Sequence, residues 1–381
     1  MGDGLTVYAG EPQPQGAIRV SRPRLVWRIW PRVTSAALSI DGREIDSRYD
    51  PASRAVVGQP PAPLAPGKHR VRCVVALDGG RSTERVWSVT VLPGSISEPT
   101  LATTGAERSS LALVQGIRRS LGIGELILDG ALQSAARAHA EYLLRNGRGG
   151  HLEESGRPGF LGRTPAERAR TFGATDDILV EDVAVLTRAG NPGGSSTSEA
   201  VIGLFDAPYH RLPFLNPALQ KIGVAHGERL SGGTTTGATV LLFSGTDSPE
   251  RPPRTMLSPM DGQAGVPTRW LDSETPDPLR LHEGARPPVG FPILFAHFPR
   301  RPDAGRPAPL RCDGASLVGP DGRKVPLLVN APPYDAELGG QAVLLIPRAP
   351  LLPGSVYRAT VLARSGAGQP ISRTWKFRTA R

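Results

Sequence analysis

The chain has 381 residues and 39% hydrophobic content, enough to bury the cores of two or three domains. Its net charge of +10 is spread without any run of five or more Lys/Arg, which argues against a dedicated basic arm for nucleic acid, and only four of the 45 basic residues are lysine. No apolar stretch approaches the roughly 18 residues that a membrane-spanning helix needs, so no transmembrane segment is expected.

The basic excess lies at the two ends. Residues 1–103 carry 13 basic against 9 acidic residues and residues 248–381 carry 18 against 11, whereas residues 104–247 carry 14 against 15. Glycine (45) and proline (39) are abundant, which predicts many turns and short strands. The start, MGDGLTVYAG, has no apolar core segment and does not read as a signal peptide.

Residues 5–93 read as strands. RLVWRIW and AALSIDGREI alternate, and the second turns at Asp41-Gly42, a hairpin signal. HRVRCVVALDGGRSTERVWSVTVL predicts another hairpin, turning at Asp78-Gly79-Gly80. Cys73 alternates with Val71 and Val75 and is expected buried, and the sequence leaves open whether it bridges to Cys312 near the other end.

A different period begins near residue 105. In ERSSLALVQGIRRSLG, residues Leu111, Val114, Ile117 and Leu121 share one helical face. Asp129 caps a second predicted helix whose apolar face is Leu132, Ala135, Ala136, His139 and Leu143, and Gly147 stops it. Thr164-Pro165-Ala166-Glu167 is a capping box, and Ser196 with Glu199 forms another before EAVIGLFDA. KIGVAHG and ATVLLFSG then read as strands, giving an α+β segment with helices over a small antiparallel sheet.

Residues 286–381 return to strands: VGFPILFAHF, ASLVGPDGRKVPLLV, AVLLIP, YRATVLAR and TWKFRT. LAPGKHRVRCVV (64–75) and LLPGSVYRATVL (351–362) share Leu-x-Pro-Gly followed by an alternating strand. Tyr357 falls where sandwich domains place a corner tyrosine that bonds back to the backbone, and His69 lies near the matching place. Both ends resemble immunoglobulin-like β-sandwiches. The predicted domains are 1–96, 104–247 and 255–381, with the linkers rich in Pro, Ser, Thr and Gly.

Three titratable groups stand at punctuated places. His151 follows Gly149-Gly150, Glu181 follows Ile178-Leu179-Val180, and His210 sits within DAPYHRLPFLNP. Each has a structural reading too. The histidines can bond backbone in their loops, Glu181 can be a strand-start acid paired with an arginine, and Arg211 can pair with an acid to fix its loop. His139, on an apolar helix face, is expected to be structural. His226, His282 and His297 are expected on strands or at the surface.

The order of these pieces resembles a bacterial member of the CAP superfamily, the SCP-like cysteine-rich secretory, antigen 5 and pathogenesis-related proteins. The matching stretches are LALVQGIRRSLG, the Asp129-capped helix, Gly150-His151, Val180-Glu181-Asp182, Ala207-Pro208-Tyr209-His210-Arg211, Asn216-Pro217 and Ile222-Gly223-Val224. The resemblance implies a central α-β-α sandwich between the two β-sandwiches. It also implies that His151, Glu181 and His210 face one cleft able to hold Zn²⁺ or another divalent ion. Larger relatives carry a further glutamate that falls at Ala207 here, with Asp206 one step earlier. Glu153 or Glu154 are the nearest replacements, and Glu153 is the expected fourth ligand. Asp182 stands where asparagine is usual.

Three functions follow as expectations. The first is an exported binding or scaffold protein acting on a cell-wall, lipid or protein ligand. The second is a metal-dependent hydrolase using the same cleft, and the third is a structural module with a relic cleft. The sequence has no His-Glu-x-x-His, no Gly-x-Ser-x-Gly and no nucleophile at a family position, so binding leads.

Overall fold

The alternating segments at the N-terminal end form two sheets. One is ordered Tyr8–Ala9, Leu25–Trp30, Ala55–Gly58, Ser47–Asp50, and the other Gly16–Val20, Ser82–Ile96, Gly67–Leu77, Val33–Ile40, Arg43–Ile45. Trp27, Ile29 and Val56 of the first meet Leu38, Val71, Cys73, Val75 and Val89 of the second in one core. Period-two patterning thus builds a two-layer β structure, as predicted. Asp41 (φ 50) and Gly42 (φ 81) both take positive φ, the pair of conformations a type I′ hairpin demands. Cys73 is fully buried, and both cysteines are free thiols. Burial pushes the Cys73 thiol up to about 12.

This computed structural model describes residues 8–30, 33–189, 197–246, 251–271, 274–299 and 308–381, and Ser196 of the expected second capping box lies outside them. The chain divides into two compact units. One comprises Met1–Ala112, Leu126–Ala200 and Leu219–Asp247, and the other Leu113–Glu125, Val201–Ala218 and Ser248–Arg381.

The first unit adds to the β layers a four-stranded sheet ordered Ile127–Leu128, Lys221–Ser231, Thr234–Gly245, Ile178–Ala189. It is antiparallel except where Ile127–Leu128 runs parallel to Lys221–Ser231. In chain order the helices are α1 (Gly105–Ser120), α2 (Gly130–Asn146), α3 (Pro165–Thr171), α4 (Thr197–Asp206) and α5 (Arg211–Leu215). The two units divide α1 and α4 between them.

Helix α2 starts where Asp129 accepts the N–H groups of Ala131 and Leu132, and ends where Gly147 turns left-handed. Its apolar face, Leu132, Ala135, Ala136 and Leu143, packs on Ala225, Ala238, Val240 and Leu242 of the sheet. Gly223 lets the helix come this close. A Cβ there would lie 2.1 Å from the Leu132 carbonyl carbon. Gln133 then bonds both backbone groups of Val224, donating to its oxygen (2.6 Å) and accepting from its N–H (2.9 Å). The β layers join this sheet through Arg28, which donates to the Thr175 carbonyl (2.7 Å) and lies 3.7 Å from Asp176.

In the second unit, one sheet runs Arg254–Ser258, Ile293–Phe298, Ala342–Pro347, Leu327–Asn330 and the other Lys324–Val325, Arg311–Val318, Val356–Arg364, Arg373–Arg378. Phe295, Val343 and Leu345 meet Leu317, Tyr357, Val361, Trp375 and Phe377 between them. Tyr357 is the expected corner tyrosine in its contacts, its hydroxyl accepting the Leu352 N–H at 2.8 Å.

Two strands depart from alternation. Every residue of Ile293–Phe298 and Ala342–Pro347 is buried. Their second faces, Leu294, Ala296, Leu344 and Ile346, share a core with Leu121, Ile123, Leu212 and Leu215 from the turn after α1 and from α5. Apolar runs such as PILFA and AVLLIP are the sequence mark of strands covered on both faces.

Candidate functional site

Within the first unit, α2, the loop after it, α3 and the strand Ile178–Ala189 bring four polar side chains into a buried cluster. His139, Glu153, Arg168 and Glu181 are each exposed by 6% or less. The cluster exists because α3 is fixed locally: Thr164 and Glu167 cap one another's backbone N–H groups, as the capping box predicts, with Pro165 opening the helix. That places Arg168 inward.

Arg168 Nη2 donates to Glu181 Oε1 and Oε2, each at 2.9 Å, and to the His151 carbonyl at 3.0 Å. Its Nε lies 3.5 Å from Glu153 Oε1. Glu153 is further held by the Leu161 N–H (2.9 Å) and by His139 Nδ1 (2.9 Å). The other ring nitrogen of His139 is 3.0 Å from the Gly150 carbonyl and 3.6 Å from Glu181 Oε2. A carbonyl only accepts, so Nε2 carries a proton. Nδ1 faces the Glu153 carboxylate. The Tyr142 ring stacks beside His139, with centroids 6.1 Å apart.

His151 stands at the cluster's rim, its side chain 38% exposed and Nδ1 3.4 Å from Glu181 Oε2. Gly150, with φ 92, sets the turn that aims it. Burial pushes the Glu181 pKa up, but the hydrogen bond from His151 and the charges of His139 and Arg168 outweigh burial, and its carboxyl is held below the ordinary value. The structure therefore brings together three of the four predicted ligands, His151, Glu181 and Glu153. It adds two residues not assigned to the site from sequence, Arg168 and His139. Of the readings open for Glu181, the strand acid paired with an arginine describes its contacts. Glu154 is exposed and pairs with Arg148 and Arg157.

The donor set fits a cation other than a metal. Arg168 occupies both oxygens of Glu181 and lies against Glu153, where an ion's charge would sit. Among the described residues no group of three His, Cys, Asp or Glu side chains is placed to hold a metal ion.

His210 belongs to the second unit, at the start of α5, and its side chain makes no capping bond there. Its backbone N–H and that of Tyr209 both donate to Glu274 Oε1, at 2.9 and 2.8 Å. Burial raises the Glu274 carboxyl to about 7 against the opposing pull of those N–H groups and of His210 and Arg211. Arg211 differs from its expected pairing with an acid side chain. It is fully buried and donates to the carbonyls of Phe205 (2.6 Å), Asp206 (2.7 Å) and Pro292 (2.8 Å), with Phe291 4.6 Å beneath it. Desolvation lowers its pKa to about 10. The Tyr209 hydroxyl donates to Asp335 (2.6 Å) and accepts from Arg280 (2.8 Å). The Asn216 side chain accepts the Ala218 N–H and closes the Asn-Pro turn. Two of the other histidines sit on strands as expected, His226 with Thr239 (2.9 Å) and His297 with Thr255 (3.0 Å), and His69 lies against Asp41 (2.7 Å). His282 departs from its expected place, half-buried at the end of a short 3-10 turn and bonded to Asn330 (2.7 Å).

The helix order, the Gly223 contact and the loop histidines all lie in one stretch. Residues 111–241 match the model of the CAP, or cysteine-rich secretory protein, family. The match spans about a third of the chain and includes His151, Glu153, Glu181 and His210. No curated protein matches the chain. Among solved structures, the chain is similar to an outer surface protein from Borrelia burgdorferi at 19% identity, covering 39% of this chain and 97% of that one, with TM-score 0.31. It is also similar to an extracellular protein containing an SCP domain from Bacillus anthracis, at 12% identity, 61% and 88% coverage and TM-score 0.27. Among the described residues no helix is long and apolar enough to cross a membrane.

Proposed function

We propose that this is an exported or cell-surface binding protein in which two immunoglobulin-like β-sandwiches, 1–96 and 255–381, carry a CAP domain, 104–247. The supporting observation is the closed pairing of Glu153 and Glu181 with Arg168 and His139. A general base works best with a pKa near the working pH, and Glu181 is held below the ordinary carboxylate value by three cationic or donor groups. The two buried acids are spent on internal neutralisation, which favours a fixed scaffold over hydrolysis.

The experiment is a comparison of wild type and Glu181→Gln on ester and peptide substrates, with and without added Zn²⁺. The binding reading expects no Glu181-dependent turnover. A rate that needs Glu181 and Zn²⁺ sinks it in favour of the hydrolase. Divalent ion binding through His151 and Glu181 is the competing use of the cluster, and it requires Arg168 to give way. Calorimetric titration with Zn²⁺ of wild type and Arg168→Met separates the two: the closed pairing predicts weak or no binding by wild type and tighter binding by the variant. Fractionation of the producing cells tests export, with a cytoplasmic pool counting against it.

A further inference from the structure

Strand periodicity in the second unit sends Tyr357, Ala359, Val361, Trp375 and Phe377 into the core and sets the alternate residues on the sheet's outer face. Arg358 on that face is opposite Lys376 on one side and Val318 on the other, and Val318 is opposite Lys324. Arg378, opposite Val356, stands one step along. Lys324, Arg358, Lys376 and Arg378 are all exposed. Among the described residues no carboxylate pairs with any of their side chains; the nearest acid contact is Asp261, which accepts the Lys376 backbone N–H.

Like charges directly opposite on one face of a sheet cost stability. The same sheet shows how such a pair is offset. Arg311 and Arg364 also face one another, and Asp313 bridges them at 2.8 and 3.0 Å. Among the described residues the Arg358–Lys376 pair has no such bridge. A cationic row across a sheet, uncompensated by any described acid, is complementary to a linear polyanion.

We propose that this face docks an acidic polysaccharide. The inference does not depend on the reading of the CAP domain. Beside the cationic row lies a row of hydroxyls, Ser316, Thr360 and Thr374, with the two threonine oxygens 3.0 Å apart. Such groups suit sugar hydroxyls as well as anions. The rings of Tyr357, Trp375 and Phe377 point inward, which leaves no platform on these strands for stacking nucleic-acid bases. Val356 and Leu362 are the large apolar side chains on the outer positions of Val356–Arg364, too little to anchor in lipid.

The test uses the full chain and polygalacturonate as probe, with neutral dextran, a short DNA duplex and phosphatidylglycerol vesicles as comparators, in about 50 mM NaCl where screening is modest. Wild type is expected to bind polygalacturonate, more weakly as salt rises. Arg358→Gln with Lys376→Gln should weaken binding about ten-fold or more, a contribution on the order of 1.4 kcal/mol. Removing the exposed Arg24 and Arg43 instead changes net charge equally and should leave affinity within about two-fold. Unchanged circular dichroism and melting in both variants secure the comparison. Equal weakening in the two, no binding by wild type, or tighter binding to duplex or vesicles than to polygalacturonate overturns the proposal.

Discussion

Arg168 Nη2 sits 2.9 Å from both carboxylate oxygens of Glu181, and neither side chain is more than 6% exposed. With Glu153 also against the guanidinium, one arginine faces two buried acids. Breaking a buried ion pair from one side costs more than the pair itself contributes, because the partner charge stays buried. Arg168→Met is therefore expected to destabilise by about 3–5 kcal/mol. Pairing it with Glu181→Gln should return part of that loss, since the second change removes one stranded charge. Urea midpoints of the two single variants and the double variant measure the coupling, and strictly additive losses would refute it.

Glycine 223 is a second point where the fold is constrained. Its added Cβ would meet the backbone of Leu132 and Gln133 at 2.1 to 2.4 Å, and backbone on a packed helix cannot step aside. Gly223→Ala should cost about 3 kcal/mol or more and break the Gln133–Val224 bonds. Gly227→Ala on the same strand meets only the Leu144 Cδ1 at 3.0 Å, a side-chain end that can rotate, and should cost under about 1 kcal/mol. Thermal melting of the two variants, with equal shifts as the adverse result, decides whether helix–strand closeness sets this motif.

The local rules were legible in the sequence, and the long-range closures were not. Asp129, Gly147, Thr164 with Glu167, and Asp41-Gly42 end or start elements where their chemistry requires it. His151 and Glu181 stood out because a loop or an apolar run isolates them. Arg168 carried no signal, being one of two arginines on a short helix in an arginine-rich chain. His139 was read as structural, and its contacts show why a histidine rather than a leucine stands on that face: its two nitrogens satisfy Glu153 and the Gly150 carbonyl. The turn at Tyr209-His210 is tied by Glu274, 64 residues beyond His210, in a stretch with no period to mark it. Such partners are set by tertiary packing, which sequence spacing does not report.

Asp176 gives the first unit a pH dependence. It accepts from Lys221 (2.9 Å), Ser244 (2.6 Å) and Thr246 (3.1 Å). Burial opposes ionisation, but the Lys221 charge and these bonds, with Arg28 nearby, outweigh burial and lower its pKa. A carboxyl with a lowered folded pKa contributes stability above its unfolded value of about 3.9, and that contribution is lost as pH falls through the folded value. Asp176→Asn should be less stable than wild type by about 2 kcal/mol at pH 6, and the two should converge toward pH 2.5. Urea titrations across that range test the sign; a gap that widens on acidification contradicts it.

Tyr357 links the Leu-x-Pro-Gly turn to the strand that follows it. The hydroxyl accepts the Leu352 N–H at 2.8 Å, and the ring, 3% exposed, stacks on Phe377 with centroids 5.8 Å apart. Tyr357→Phe keeps the ring and its stacking but leaves the N–H without that acceptor, which should cost about 1–2 kcal/mol. Tyr357→Leu also removes the aromatic pair and should cost a further 0.5–1.5 kcal/mol or so beyond the lost hydrogen bond. The ordering matters more than either value. If the corner bond holds the turn, phenylalanine alone produces a measurable drop in melting temperature and faster amide exchange at Leu352. A phenylalanine variant that melts with wild type, with Leu352 exchange unchanged, would mean that ring packing alone sets the corner.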